Sequence, residues 1–286
     1  MSSHDPSLPV AKTVAALRAR VKGWRERGER VALVPTMGAL HDGHMSLVKL
    51  ARAQADRVVV SIFVNPRQFA PNEDFATYPR PEAADAKRLI EQRVDLLYAP
   101  EPADMYPVGF STSVRLAGVA EPLEGEARPH FFDGVATVVA KLLIQCAPDL
   151  AIFGEKDFQQ LQVIRRLVRD LDIPVQILAG PTERERDGLA LSSRNAYLSA
   201  AERGTAAKLY AALTEAAAAV ATGAAPAQAE AAARESLLAA GFDRVDYVAV
   251  RSAEDLSAVE APLTVPARVL AAAWLGKTRL IDNVAV

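Results

Sequence analysis

Two of the chain's four histidines, His41 and His44, lie three residues apart in the run Pro35-Thr36-Met37-Gly38-Ala39-Leu40-His41-Asp42-Gly43-His44. At that spacing on a helix the two imidazoles share a face. The run follows a short apolar stretch, residues 31–35, and opens an amphipathic one, residues 45–55, which puts the pair at a helix N-terminus beyond a strand. Exposed N–H groups and the positive end of the helix dipole attract anions there, and Gly38 and Gly43 let a nucleotide approach the backbone without meeting a Cβ. The matching chemistry is hydrogen bonding from imidazoles to a phosphoryl oxygen. The bland alternative is an Asp42 N-cap flanked by two ordinary surface histidines. Two histidines flanking a glycine at this topological position favour the phosphate-binding reading. Zinc has less support, because only His4 and His130 remain and no His-Glu-x-x-His pattern occurs. No metal-ligating residue is assigned.

Three further segments carry polar groups beside turns. Phe153-Gly154-Glu155-Lys156-Asp157-Phe158-Gln159-Gln160 sets a cation and two carboxylates next to a glycine, with Lys156 suited to a phosphate and Asp157 to a magnesium ion. Its plain alternative is an Asp157 N-cap beside solvated Glu155 and Lys156. Asp187-Gly188-Leu189-Ala190-Leu191-Ser192-Ser193-Arg194-Asn195 offers hydroxyls and a guanidinium that suit a triphosphate tail. Asn65-Pro66-Arg67-Gln68-Phe69 carries amides and a guanidinium suited to a small polar acid, or forms only a Pro turn. Asp85, in a charged helical stretch, reads as solvent-facing, with a magnesium role as its alternative. No Gly-x-Gly-x-x-Gly occurs, and the P-loop mimic from Gly23 to Gly28 is followed by Glu29-Arg30 instead of Lys and Ser or Thr.

The elements that must carry these groups alternate. Helical spacing at Val14, Leu17, Val21 and Trp24 leads to a strand at 31–35, a helix at 45–55 and the β-rich run 57–64. Helix at 81–92, strand at 94–99, helix at 134–147, strand at 150–153, helix at 156–171 and strand at 175–179 continue the pattern. Short strands alternating with helices predict a Rossmann-like, doubly wound parallel sheet with right-handed crossovers. From about residue 186 the pattern changes to an Ala-rich helix at 200–222, a break at 223–226, a helix to 240, and strands at 245–251, 268–275 and 279–284. This predicts two domains, 1–185 and a smaller α+β domain at 186–286.

Composition bounds the partners. The 286 residues suit about two domains, half are hydrophobic, and 33 Lys and Arg against 35 Asp and Glu leave no global attraction for nucleic acid or an anionic membrane. No apolar run is long enough for a membrane span, and Met1-Ser2-Ser3-His4-Asp5-Pro6 lacks signal-peptide character, so a cytoplasmic protein is expected. Cys146, the single cysteine, sits in an apolar run and reads as buried packing.

Residues 35–44, 63–69, 153–160 and 187–195, in this order, resemble the pantothenate synthetase (pantoate–β-alanine ligase) family. The likeness runs along nearly the whole chain and ends with Ala271-Ala272-Ala273-Trp274-Leu275-Gly276 and Arg279-Leu280-Ile281-Asp282-Asn283. His-x-Gly-His alone is similar to the signature of a broader nucleotidylyl-transfer superfamily. The resemblance implies a homodimeric, Mg²⁺-dependent cytoplasmic ligase with a Rossmann-like N-terminal domain and a C-terminal lid, joining (R)-pantoate to β-alanine and splitting ATP to AMP and pyrophosphate through a pantoyl adenylate. By that likeness Met37, Gly38, Ala39, Leu40, His41, Asp42, Gly43, His44, Gly154, Glu155, Lys156, Asp157, Leu191, Ser192, Ser193 and Arg194 hold ATP, with a main-chain contact at Glu183. His41, His44, Lys156 and Arg194 stabilise charge, Gln68 and Gln160 hold pantoate, and Gln68 also lies near β-alanine. The chain departs from the family at Arg128-Pro129-His130-Phe131-Phe132-Asp133, where Arg-Pro-Gly-His-Phe is usual.

Overall fold

The computed structural model describes residues 8–70 and 75–286. The N-terminal hexapeptide read for signal character, His4 included, lies outside the described residues. In chain order the elements are β1 (Val10–Ala11), α1 (Val14–Arg25), β2 (Val31–Thr36), α2 (Asp42–Gln54), β3 (Arg57–Ile62), α3 (Glu82–Glu91), β4 (Leu96–Tyr98), α4 (Pro102–Met105), α5 (Glu124–Ala127) and α6 (Phe131–Cys146). There follow β5 (Leu150–Gly154), α7 (Phe158–Asp170), β6 (Gln176–Gly180), α8 (Ala200–Ala206), α9 (Lys208–Ala221), α10 (Pro226–Ala239), β7 (Arg244–Ser252), β8 (Ala267–Leu275) and β9 (Thr278–Ala285).

The chain divides into two compact bodies. The first comprises the described residues up to Leu116, then His130–Gly154 and Val163–Gly180; the second comprises Ala117–Pro129, Glu155–Gln162 and Pro181–Val286.

In the first body six parallel strands run in the order β1-β4-β3-β2-β5-β6. The chain builds outward from β2 through β3 to β4, then returns to the other side of β2 as β5. That reversal leaves a crevice beyond the carboxyl end of β2, where sheets of this type bind ligands. Strands covered on both faces need apolar side chains on both: Ala32, Val34, Val58, Val60, Leu150 and Ile152 pack with Met45, Leu47, Val48 and Ala51 of α2 and Leu89 of α3. Val31, Leu33 and Val59 point the other way and are equally buried. Helix α1 starts where Thr13 Oγ1 accepts the Ala16 N–H at 3.2 Å, and it buries Leu17, Val21 and Trp24 at helical spacing.

The second body packs α9 and α10 on the antiparallel sheet β7-β8-β9. Small side chains, Ala212, Ala216, Ala229 and Ala233 from the helices and Ala271 and Ala273 from β8, form its core with Leu209, Leu213, Leu237, Val250 and Val269.

The expected alternation of strands and helices is present, with differences at the ends. The two-residue β1 is too short to carry a period. The Ala-rich helix is divided at Ala207 into α8 and α9. Residues 155–157 form a separate 3-10 turn before α7. Helix α6 begins at Phe131, after His130 in the left-handed region with φ 70°. That conformation suits glycine, the residue usual there in the resembled family.

Candidate functional site

In the first body the loop after β2 is held from below. Thr36 Oγ1 donates to Ser61 O at 2.8 Å and accepts the Gly38 N–H at 3.2 Å. Gly38 (φ 84°) and Ala39 (φ 49°) turn through the left-handed region. The Ala39 and Leu40 N–H groups donate to Asp85 Oδ2 and Oδ1 at 2.9 and 2.8 Å. Asp85 is therefore buried under the loop, not solvent-facing as expected, and its burial pushes the carboxyl group's pKa up, against the two backbone N–H groups that lower it. A Cβ on Gly38 would lie 3.2 Å from both Asp85 Oδ2 and Ile62, so the turn has little room for one.

The turn delivers His41 to the N-cap of α2 with extended dihedrals. His41, not Asp42, is thus the cap residue; Asp42 is the first helical residue, and its exposed carboxylate accepts from Arg88 at 2.8 Å. The His41 N–H donates to His44 Nδ1 at 3.3 Å, and the two rings lie 4.1 Å apart at 43°. An acceptor Nδ1 means that in the neutral ring of His44 the proton is on Nε2, which makes Nε2 a hydrogen-bond donor.

Beyond β3, Asn65 opens a 3-10 turn, residues 66–68, by accepting the Arg67 N–H at 3.2 Å. Its amide also donates to Gln68 Oε1 at 2.9 Å and to Gly134 O at 3.1 Å, and Tyr106 Oη donates to its Oδ1 at 2.8 Å. With Oε1 occupied, the orientation of the Gln68 amide is set. Burial raises the Tyr106 phenol to about 12, so it stays a donor. Gly134 of α6 lets this turn close down: a Cβ there would fall 2.1 Å from Arg67 O. The Arg67 guanidinium sits over the Tyr106 and Phe110 rings, at 5.6 and 5.5 Å from their centroids.

In the second body the 155–157 turn sets Lys156 Nζ 4.0 Å from Asp157 Oδ2, with the lysine side chain mostly buried and Asp157 half exposed. Asn283 Nδ2 donates to the Glu155 and Lys156 carbonyls at 2.9 and 3.0 Å, and Arg268 pairs with Glu155 at 3.4 Å. Asp157 does not stand alone as a metal cage, and among the described residues no group of three His, Cys, Asp or Glu side chains is placed to hold an ion. One carboxylate is nonetheless what a magnesium ion carried mainly by phosphates requires. In the loop toward Arg194, the Glu183 carbonyl accepts the Leu191 N–H at 2.9 Å, and Ser192 Oγ accepts the Arg194 N–H at 3.2 Å. Gln160 is half-buried near the start of α7. Its neighbour Gln159 is a clamp, donating to Val119 O and Pro122 O at 3.0 and 2.7 Å and accepting the Glu124 N–H at 3.1 Å.

Of the predicted residues, contacts join His41 to His44, Lys156 to Asp157, Leu191 to Glu183 and Arg194 to Ser192. Sequence reasoning missed the supports: Asp85, Asn65, Gly134, and the buried Glu124, whose carboxylate binds Arg279 at 2.7 Å and receives the Tyr247 hydroxyl at 2.8 Å. Asp85 did leave a signal, since it stands four residues before the buried Leu89 on the same helix face. Cys146 is buried as expected, and burial pushes its thiol up to about 12.

A model of the family described as pantoate–beta-alanine ligase matches residues 9–285. The pantothenate synthetase of Caulobacter vibrioides is 60% identical over 279 residues, covering 97% of this chain and 98% of that protein. That of Paramagnetospirillum magneticum is 58% identical over 280 residues, covering 98% of each. The crystal structure of pantothenate synthetase from Thermus thermophilus superposes with a TM-score of 0.91 at 46% identity, covering 97% of this chain and 99% of that one. The pantoate–beta-alanine ligase of Francisella tularensis, crystallised with beta-gamma ATP and beta-alanine, gives 0.82 at 34% identity, covering 98% of each.

Proposed function

Because the chain belongs to the pantoate–β-alanine ligase family, we propose that it activates the carboxylate of (R)-pantoate on ATP and passes the acyl group to β-alanine at the residues assigned below. It is a ligase that forms the amide bond of pantothenate in an ATP-dependent reaction. A carboxylate does not acylate an amine at neutral pH, so it must first become a better acyl donor. A pantoate carboxylate oxygen attacks the α-phosphorus of ATP, pyrophosphate leaves, and a pantoyl adenylate remains. The β-alanine amine then attacks the acyl carbon, the bond to the phosphate oxygen breaks, and AMP leaves with the electron pair.

The observation that carries the assignment is the hydrogen bond from the His41 N–H to His44 Nδ1. It presents Nε2–H of His44 as an oriented donor at the start of α2, suited to negative charge growing on the α-phosphoryl oxygens. In the first body Met37, Gly38, Ala39, Leu40, His41, Asp42, Gly43 and His44 bind ATP, and Gln68, held by Asn65, binds pantoate and lies near β-alanine. In the second body Glu155, Lys156, Asp157, Leu191, Ser192, Ser193 and Arg194 bind ATP, with Gly154 before them, a main-chain contact at Glu183, and Gln160 on pantoate. Lys156 and Arg194 are the cations for the phosphates. Asp157 is the residue suited to Mg²⁺, which when bound offsets the charge of the phosphates. No covalent protein nucleophile is needed, and the buried Cys146 has no part. The part from residue 186 acts as a lid that keeps water from the adenylate, and the enzyme works as a cytoplasmic homodimer.

The test is pantoate-dependent exchange of labelled pyrophosphate into ATP with β-alanine omitted. Exchange should require pantoate and fall by about 10²- to 10³-fold in His44→Ala, the usual loss for one preorganised donor. Near-normal exchange in that variant would remove His44 from the role.

A further inference from the structure

The motif Arg279-Leu280-Ile281-Asp282-Asn283 has no part in the chemistry above, yet its last two side chains are almost fully buried polar groups. Both belong to β9, paired with Ala271 and Leu270 of β8. Neighbours on a strand point to opposite faces, so two adjacent residues can serve two different segments.

Asp282 serves the loop that leads to Arg194. Its carboxylate grips Arg184 with both oxygens, at 2.6 and 2.9 Å. Arg184 also donates to Gly188 O at 3.0 Å and stacks 4.0 Å from the Tyr210 ring centre. One guanidinium thus fixes the loop at its start and at its turn, and the Leu191 N–H to Glu183 carbonyl bond closes it just before Ser192.

Asn283 serves the other segment. Its amide nitrogen has two hydrogens, and the structure uses both, toward the consecutive carbonyls of Glu155 and Lys156. Its Oδ1 accepts from Arg268, the same arginine that pairs with Glu155. The two residues are also tied together, since the Asn283 N–H donates to Asp282 Oδ1 at 2.8 Å and its carbonyl accepts from Arg184 at 3.2 Å. Only a carboxamide fits this position: an aspartate has the same shape but no donor for the two carbonyls.

We infer that Asp282 and Asn283 are positioning residues, a two-residue bracket that holds the Lys156 turn and the Ser192–Arg194 loop in register for the triphosphate of ATP. The inference rests on the ATP assignment proposed above. Neither residue touches substrate; each acts through the backbone that carries a cation.

The experiment is a double-mutant cycle read by pantoate-dependent pyrophosphate exchange on the full-length chain, with thermal melting to select folded variants. Asn283→Asp should lower the exchange turnover by about 10²-fold, the effect of displacing a catalytic group by about 1 Å, with the pantoate KM little changed. In a Lys156→Ala background the same substitution should cost no more than about twofold, because the group it positions is gone. Asn283→Ser, uncharged and with a single donor, takes its place in the cycle if the aspartate variant does not fold. Equal losses in both backgrounds, or normal exchange in the folded Asn283 variants, would overturn the bracket while leaving Lys156 in its role. Normal exchange in Lys156→Ala alone would overturn the assignment of Lys156 and the bracket with it.

Discussion

Gly134→Ala probes how tightly the Gln68 turn is built. The new Cβ would lie 2.1 Å from Arg67 O and 2.7 Å from its carbonyl carbon, whereas real Cβ contacts essentially never fall below 3.0 Å, so the gap must open by 0.9 Å (3.0 minus 2.1). Both partners are backbone, which cannot swing aside as a flexible side chain would. An opening of that size stretches the 3.1 Å bond from Asn65 Nδ2 to Gly134 O beyond hydrogen-bond range. Asn65 then loses one of the contacts that orient Gln68. In stability, overpacking costs about 1–3 kcal/mol and the lost bond about 1 kcal/mol, while alanine regains about 1 kcal/mol over glycine in a helix interior. The net of about 1–3 kcal/mol corresponds to a fall in Tm of roughly 3–10 °C. In activity, a shift near 1 Å at a substrate-orienting group costs about 10²-fold, expected in kcat/KM for pantoate more than in the ATP dependence. Pyrophosphate exchange titrated with pantoate, beside a thermal melt, reads both. A variant that melts at the wild-type temperature with wild-type pantoate dependence would refute the argument that helix α6 sets the turn.

Asp85→Ala leaves the Ala39 and Leu40 N–H groups without their acceptor, at about 1–3 kcal/mol for each group that stays unpaired, and should raise the ATP KM in exchange; an unchanged KM would show that the loop holds itself. With its thiol near 12, Cys146 is ionised to only ~10⁻⁴ at pH 8, so native protein should resist alkylation and Cys146→Ala should keep its exchange activity; rapid labelling of folded protein would contradict this. Glu29 is drawn down from 4.5 to about 2 by hydrogen bonds from Arg57 and then Arg27. A depressed carboxyl contributes stability that is present above pH 4.5 and is lost as the pH falls toward 2. Wild type and Glu29→Gln should therefore differ in Tm above pH 4.5 and converge near pH 2, and a gap that stays constant across that range would exclude the ion pair as its source.

What the sequence made legible follows from what a local pattern can encode. The run Arg57-Val58-Val59-Val60-Ser61-Ile62 reads as a strand because a strand covered on both faces needs apolar side chains at every position. The histidine pair reads as a site because both groups lie on one element at helical spacing. Residues that act across the fold leave no such pattern. Asp85 meets Leu40 over 45 positions of sequence, and Asn283 meets Lys156 over 127. A single acidic residue in a charged helix looks solvated until its neighbours in space are known. Gly134 was legible only as the first residue of an apolar helix, without the carbonyl that forbids a side chain there. At His130, where glycine is usual in the resembled family, the backbone of this chain lies in the left-handed region that suits glycine.

The buried pairing of Glu124 with Arg279 also has a meaning in time. The two charges are 155 positions apart, and the ribosome makes the first long before the second. At roughly 5–20 residues per second, Glu124 waits about eight to thirty seconds for Arg279 to be synthesised. Until then Glu124 has a cation in Arg128, at 3.8 Å, but not the closer Arg279 at 2.7 Å, so burying it costs more than it does once β9 is made. The segment Ala117–Pro129, though made early, belongs to a body that is complete only when the chain up to Val286 has been made. A nascent chain stalled before β9 would carry most of its candidate ATP-binding residues and still lack both the charge that closes Glu124 and the Asn283 amide that holds Lys156. On the bracket inferred above, activity waits on the last strand to be translated.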